Sequence, residues 1–228
     1  AEPARAAGGP RRSSETQRFS LETMPDLVDH AFIRQPDGWE HKPDTFPVVP
    51  FTRSVEMVLE TAQSLVPELT AVAMERIRAK RWIEVAPPQD VEIKAEFDGS
   101  TKVAMDIGEF FSATVIMARS YPPAPAPKPL ETGPREIPWV SGPELYEQRW
   151  MFHGPGFQAV TDVGPMGTKG VHGRVRSLPA KGSLLDAAGQ LAGYWCGAHA
   201  TKDQEALPFR VDRITFYGPH PQVGVELE

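Results

Sequence analysis

The sequence predicts an α+β fold, a double hot dog: two antiparallel sheets, each wrapped around a central helix. Three observations carry this reading. Each half of the 228-residue chain runs strands, one apolar helix, then strands again. A proline-rich connector, Tyr121 to Pro129, separates the halves. Finally, a candidate base near the start and a candidate acid near the end each border an apolar run, and only two facing units would bring them together.

Residues 1–15 lack an apolar signal core and read as a disordered arm or linker. The first unit spans 16–120. Arg18–Glu22 alternates like a short strand, and Leu27 to Ile33 reads as the end of a buried one. Residues 35–46, rich in Pro, Gly, Asp and Lys, form an exposed loop at the site entrance, with Trp39 as its anchor. Val55, Val58, Leu59, Ala62, Leu65 and Val66 recur at helical steps, giving a helix near 52–66 capped by Thr52 and stopped by Pro67. Strands follow over 69–80, 82–85, 91–97 and 110–119, with Asp98-Gly99-Ser100 as a hairpin turn.

The connector covers 121–143 and the second unit 144–228. Tyr146–Phe152 reads as extended and Gly154-Pro155-Gly156 as a turn. Strands over 157–163 and 171–175 precede a helix over 184–199, and strands over 209–216 and 223–227 close the chain. Only about twenty-eight residues follow this helix, so the second hot dog reads as incomplete.

Composition narrows the function classes. No apolar run is long enough to span a membrane. A net charge of −6 without a sizeable Lys/Arg cluster argues against nucleic acid as partner. The single cysteine, Cys196, allows no internal disulfide, which suits a cytoplasmic location, and its apolar helical setting reads as a small buried hydrophobe. The scattered histidines show no metal-ligand spacing, so neither metal nor cofactor is expected.

Two residues carry the candidate chemistry. His30, in an apolar run, can accept a proton near neutral pH; its bland reading is a satisfied core histidine. Asp186 shares a helix face with Gln190, Gly193 and Gly197, so Gln190 can orient it one turn away and the glycines leave space. Ser183-Leu-Leu-Asp186 also fits a capping-box start that places Asp186 at the third helical position, and spacing alone leaves cap and acid both open. His153 could line a slot, while His41 reads as solvent-facing.

Three motifs in order resemble the dehydratase domains of modular type I polyketide synthases and animal-type fatty acid synthases. These are Asp29-His30 with Pro50 before the first helix, Gly154-Pro155-Gly156-Phe157-Gln158, and Leu185-Asp186 with Gln190. The resemblance covers roughly residues 16–228. It departs from the family pattern at Arg34, which replaces the usual Gly four residues after the histidine. Pro50 lies twenty residues on rather than nine, Phe51 replaces a Gly, and His153 replaces the Tyr before Gly-Pro.

The resemblance implies a cytoplasmic hydro-lyase of fatty acid or polyketide biosynthesis, one domain of a multifunctional enzyme. It would remove water from a 3-hydroxyacyl thioester carried on the phosphopantetheine of an acyl carrier protein, giving the 2-enoyl thioester. His30 would be the base and Asp186 the acid. Gln190, Pro50, Phe51, His153, Gly154, Pro155 and Phe157 would support the site or contact substrate. An apolar slot would keep Asp186 protonated, and amides around Phe51–Arg53 would hold the enolate oxygen. Acyl carrier protein and neighbouring megasynthase domains are the implied partners, and a homodimer is compatible. The rival readings are a hot dog isomerase, cyclase or thioesterase, or a non-catalytic acyl-binding or scaffolding domain.

Overall fold

The structure, a computed structural model, describes residues 9–129, 131–134, 140–200 and 207–228. The start of the arm (1–8) and part of the connector (130, 135–139) lie outside these residues. Helix α1, Phe51–Leu65, sits at the centre of the first unit. Its i, i+3, i+7 apolar positions point inward, and Val55, Val58 and Ala62 are fully buried. Around it wrap β1 (Arg11–Phe19), β2 (Thr70–Ala79), β3 (Gln89–Phe97), β4 (Lys102–Ile107) and β5 (Phe111–Ala118).

Inward and outward residues alternate strictly along β3 and β4. That period of two sends Ile93, Ala95, Phe97, Val103, Met105 and Ile107 into the core against α1. The β3–β4 turn is held by Asp98 Oδ1, which accepts from the backbone N–H of Ser100, Thr101 and Lys102 at 2.7–3.1 Å.

The second unit contains α2 (Gly142–Glu147), β6 (Val160–Gly167), β7 (Gly170–Arg176), α3 (Ser183–His199), β8 (Arg210–Thr215) and β9 (Glu226–Leu227). Strands β6, β7 and β9 form a three-stranded sheet. Strand β8 crosses to the first sheet, giving the order β1-β3-β4-β5-β2-β8. Because β2 follows α1 directly and β8 follows α3 directly, their antiparallel pairing, Ala73 opposite Thr215, joins equivalent edges of two similar units. The two sheets with their two central helices make the double hot dog arrangement.

In the first unit β4 and β5 lie between β3 and β2; among the described residues no strand lies between β9 and β8. Helix α3 is correspondingly less covered than α1. Ala188, Ala192 and Cys196 face out on it, so Cys196 is exposed rather than a buried hydrophobe.

Several local expectations are corrected. Residues 11–15, read as part of a disordered arm, are the first half of β1, paired in register with β3 from Arg11 opposite Phe97. His30 ends a 3₁₀ turn, Pro25–Asp29, rather than a strand. Residues 82–85 make one isolated bridge, Val48 to Glu84, not a strand. Tyr146 lies on helix α2, not an extended segment: Ser141 accepts from the Glu144 amide while the Glu144 side chain accepts from the Ser141 amide, a capping box.

Neither central helix uses its expected cap. Pro50 occupies the N-cap of α1 and Thr52 lies inside it; Gly182, at φ +84°, caps α3 and the Ser183 hydroxyl turns to Leu178 O. Residues 35–46 are an exposed loop, but Trp39 is itself exposed and donates to Asp44 Oδ2 at 2.9 Å, bracing the loop on itself.

Candidate active site

The two units meet along the seam between the first turns of α1 and α3. Gly182 packs against the Arg53 amide so closely that a Cβ there would lie 2.5 Å from Arg53 N. That amide is closed to the site, which removes it from the expected oxyanion donors. The amides of the cavity-lining Phe51 and Thr52 remain.

A second tie fixes His30. The Asp29 carbonyl accepts from Gly154 N at 2.8 Å, and Asp29 Oδ2 accepts from Gly156 N at 2.8 Å. The Gly-Pro-Gly turn of the second unit is thereby clamped onto the residue preceding His30. A Cβ on Gly154 would lie 2.8 Å from Asp29 Cγ and 3.0 Å from its Cα, and one on Gly156 would lie 2.9 Å from Asp29 Oδ2. We therefore expect Gly154→Ala to destabilise by roughly 1–3 kcal/mol, as overpacking does. For a chain of this size each kcal/mol lowers Tm by about 2–4 °C. An unchanged melting temperature would show that the clamp is not tight.

The cavity at this seam has a volume of about 620 Å³. His30 and Asp186 both line it, one from each unit, and Phe32, Trp82, Trp150 and Phe152 form much of its apolar wall. His30 is buried among aromatic rings, with Phe152, His153 and Phe157 centred 5.1–5.3 Å away. Its Nδ1–H donates to Val48 O at 3.1 Å, which leaves Nε2 as the lone-pair nitrogen. Burial pushes the His30 imidazole down to about 4, against the attraction of Asp186, so the ring is neutral at physiological pH.

Asp186 makes no cap. Its Oδ2 accepts from Gln190 Nε2 at 2.8 Å and lies 3.0 Å from His153 Nε2, and its Oδ1 accepts from Thr52 Oγ1 at 3.5 Å. Burial raises the carboxyl, but the His153 hydrogen bond and charge, with His30 and Gln190, outweigh it, so the net direction is downward. The expectation that an apolar slot keeps this group protonated is thus reversed in the free site, because a polar imidazole occupies the wall next to it.

Gln190 also donates to Phe157 O at 2.9 Å and accepts from Tyr146 Oη at 2.7 Å, and that hydroxyl accepts from Val160 N at 2.9 Å. This chain of contacts ties the orientation of Asp186 to the second sheet. Pro50, Gly154, Pro155 and Phe157 do not line the cavity; they shape its backbone and back wall. Phe51, His153 and Gln190 do line it. His41 is exposed, beside Asp44.

Sequence reasoning missed Tyr146, Thr52 and the clamp role of Asp29. The capping box Ser141-Gly-Pro-Glu144 was a readable signal for the helix that carries Tyr146. Metal spacing was absent from the sequence, yet the fold gathers His30, His153 and Asp186 so that one donor atom of each lies within 4.8 Å of the others.

Residues 122–227 match the family model described as the polyketide synthase dehydratase N-terminal domain. No curated protein matches the chain. Among solved structures, the dehydratase domain from the CurF module of curacin polyketide synthase aligns with TM-score 0.66 at 16% identity, over 95% of this chain and 82% of that one. The CurJ-module dehydratase domain aligns at 0.64 and 16%, over 94% and 78%. The dehydratase domain of a mycocerosic acid synthase-like polyketide synthase aligns at 0.59 and 14%, over 93% and 80%. Residues 122–227 are thus similar in sequence to that family's model, and over more than nine tenths of its length the chain shares the fold of these dehydratase domains.

Proposed function

We propose that the protein eliminates water from a 3-hydroxyacyl thioester carried on an acyl carrier protein, giving the 2-enoyl thioester. The observation that supports this most is the meeting of His30 and Asp186, from different units, in one largely apolar cavity. Elimination needs a base near the carbon alpha to the thioester and an acid near the beta hydroxyl. Neutral His30, its Nδ1 proton committed to Val48 O, takes the alpha proton on Nε2. Asp186 gives a proton to the leaving hydroxyl.

An acyl chain filling the cavity displaces water from Asp186, which favours the neutral carboxyl that the acid step needs. The Phe51 and Thr52 amides, at the start of α1, are the donors for the developing enolate oxygen. The aromatic wall receives the acyl chain, and the cavity is large enough to admit it. The phosphopantetheine arm of the carrier brings the substrate in, so the carrier and adjoining megasynthase domains are the partners. Each of these roles falls to a side chain or a backbone amide of the protein itself.

The deciding assay incubates the protein with a 3-hydroxyacyl thioester on acyl carrier protein and follows both enoyl product and free thiol. Enoyl thioester without thiol is the expected result. Thiol release without enoyl product would mean hydrolysis and would overturn the reading.

A further inference from the structure

We propose that His30, His153 and Asp186 form a binding site for one divalent transition-metal ion of the zinc class, and that the bound ion blocks the acid and base. Two neutral imidazoles and one carboxylate form a donor set such ions take, with the remaining positions open to solvent or ligand. Here both imidazoles are buried and all three groups line the same cavity. No other group of three or more His, Cys, Asp or Glu among the described residues is placed to hold a metal.

The geometry needs little adjustment. Zinc bonds of about 2.0–2.2 Å place neighbouring ligand atoms roughly 3.3 Å apart. His153 Nε2 and Asp186 Oδ2 are already at 3.0 Å. His30 lies within 4.8 Å of both, so an approach of at most roughly 1.5 Å completes the set.

The outer contacts suit a metal as well. The Val48 carbonyl fixes the His30 proton on Nδ1, leaving the other nitrogen to coordinate, and Gln190 and Thr52 orient the carboxylate. His153 now donates from Nε2 to Asp186 Oδ2, and its buried Nδ1 has no hydrogen-bond partner, so a metal taking Nε2 requires the ring proton to pass to Nδ1. His153 is the third ligand that distinguishes this cluster from a bare acid–base pair. Since the ion would sit on His30 and Asp186, its binding and elimination exclude one another; this second part rests on the proposed function.

The test uses metal-stripped protein titrated with Zn²⁺ by calorimetry and with Co²⁺ by visible absorption. One ion per chain is expected, with cobalt bands of a nitrogen-coordinated site. His153→Phe, which keeps a planar ring but removes the donor, is expected to weaken binding by at least about 100-fold, the upper end of what losing only an outer-shell partner costs. The His41→Ala and His220→Ala variants, altered at exposed imidazoles, keep wild-type affinity.

If His153→Phe does not fold, histidine-ring NMR of the wild type decides: Zn²⁺ must shift the His30 and His153 ring signals and leave those of His41 and His220 in place. No binding, or binding that survives loss of His153, overturns the metal site while metal-free elimination still stands. Binding by a protein that never eliminates water overturns the proposed function and leaves the metal site intact. Elimination that continues at saturating Zn²⁺ overturns the block.

Discussion

Asp186→Asn is expected to lower the elimination rate by roughly 100- to 10,000-fold, the range for loss of a general acid, with little change in melting temperature. The structure explains the second half of that forecast. Asp186 caps nothing, because Gly182 holds the N-cap of α3. An amide oxygen can accept from Gln190 Nε2 and His153 Nε2 as Oδ2 does now, and the amide nitrogen can turn to Thr52 Oγ1. The packing therefore survives while the transferable proton is lost.

His30→Ala should reduce the rate over a similar range by removing the base. It should also lower stability, because it empties a buried site between Phe152 and Phe157. In the proposed elimination His30 and Asp186 act as a unit, so the double variant should be little slower than the slower single one. Paired melting and rate measurements on the three proteins check this. Turnover near wild type in Asp186→Asn would remove the acid from the mechanism.

Acid conditions should expose His30 in a second way. Its folded value, about 4, lies below the ordinary 6.5, so the unfolded chain binds this proton first as pH falls. The contribution is fully present above pH 6.5, is lost as pH drops towards 4, and changes no further below that. A shift of this size corresponds to about 3 kcal/mol. Denaturant unfolding at pH 7, 5 and 4 should show the wild type losing about that much more stability than His30→Ala. Equal losses in the two proteins would mean that His30 is solvated. The same depression should place the acid limb of kcat/KM nearer pH 4 than 6.5, because the base stays unprotonated until then.

The sequence by itself determined the parts whose cause is local. Helical spacing of Val55, Val58 and Ala62 identified α1, and apolar residues at helical steps identified α3. The strand-like run Val91–Phe97 identified β3, and Asp98-Gly99-Ser100 identified its turn. Motif order pointed to His30 through the Asp29-His30 pair, and to Asp186 and Gln190 through their spacing at the start of α3.

What only the tertiary structure decided depends on neighbours brought from far along the chain. A strand pattern names an inward face but no partner, so β8 could not be seen to complete the first sheet beside β2. Ser183 and Asp186 have capping spacing, yet the approach of Gly182 to Arg53 took the cap and freed the carboxylate. Burial alone argued for a protonated Asp186. The clamp of Asp29 on the Gly154–Gly156 turn carries His153 to within 3.0 Å of that carboxylate, and its hydrogen bond and charge, together with His30 and Gln190, outweigh desolvation and reverse the direction.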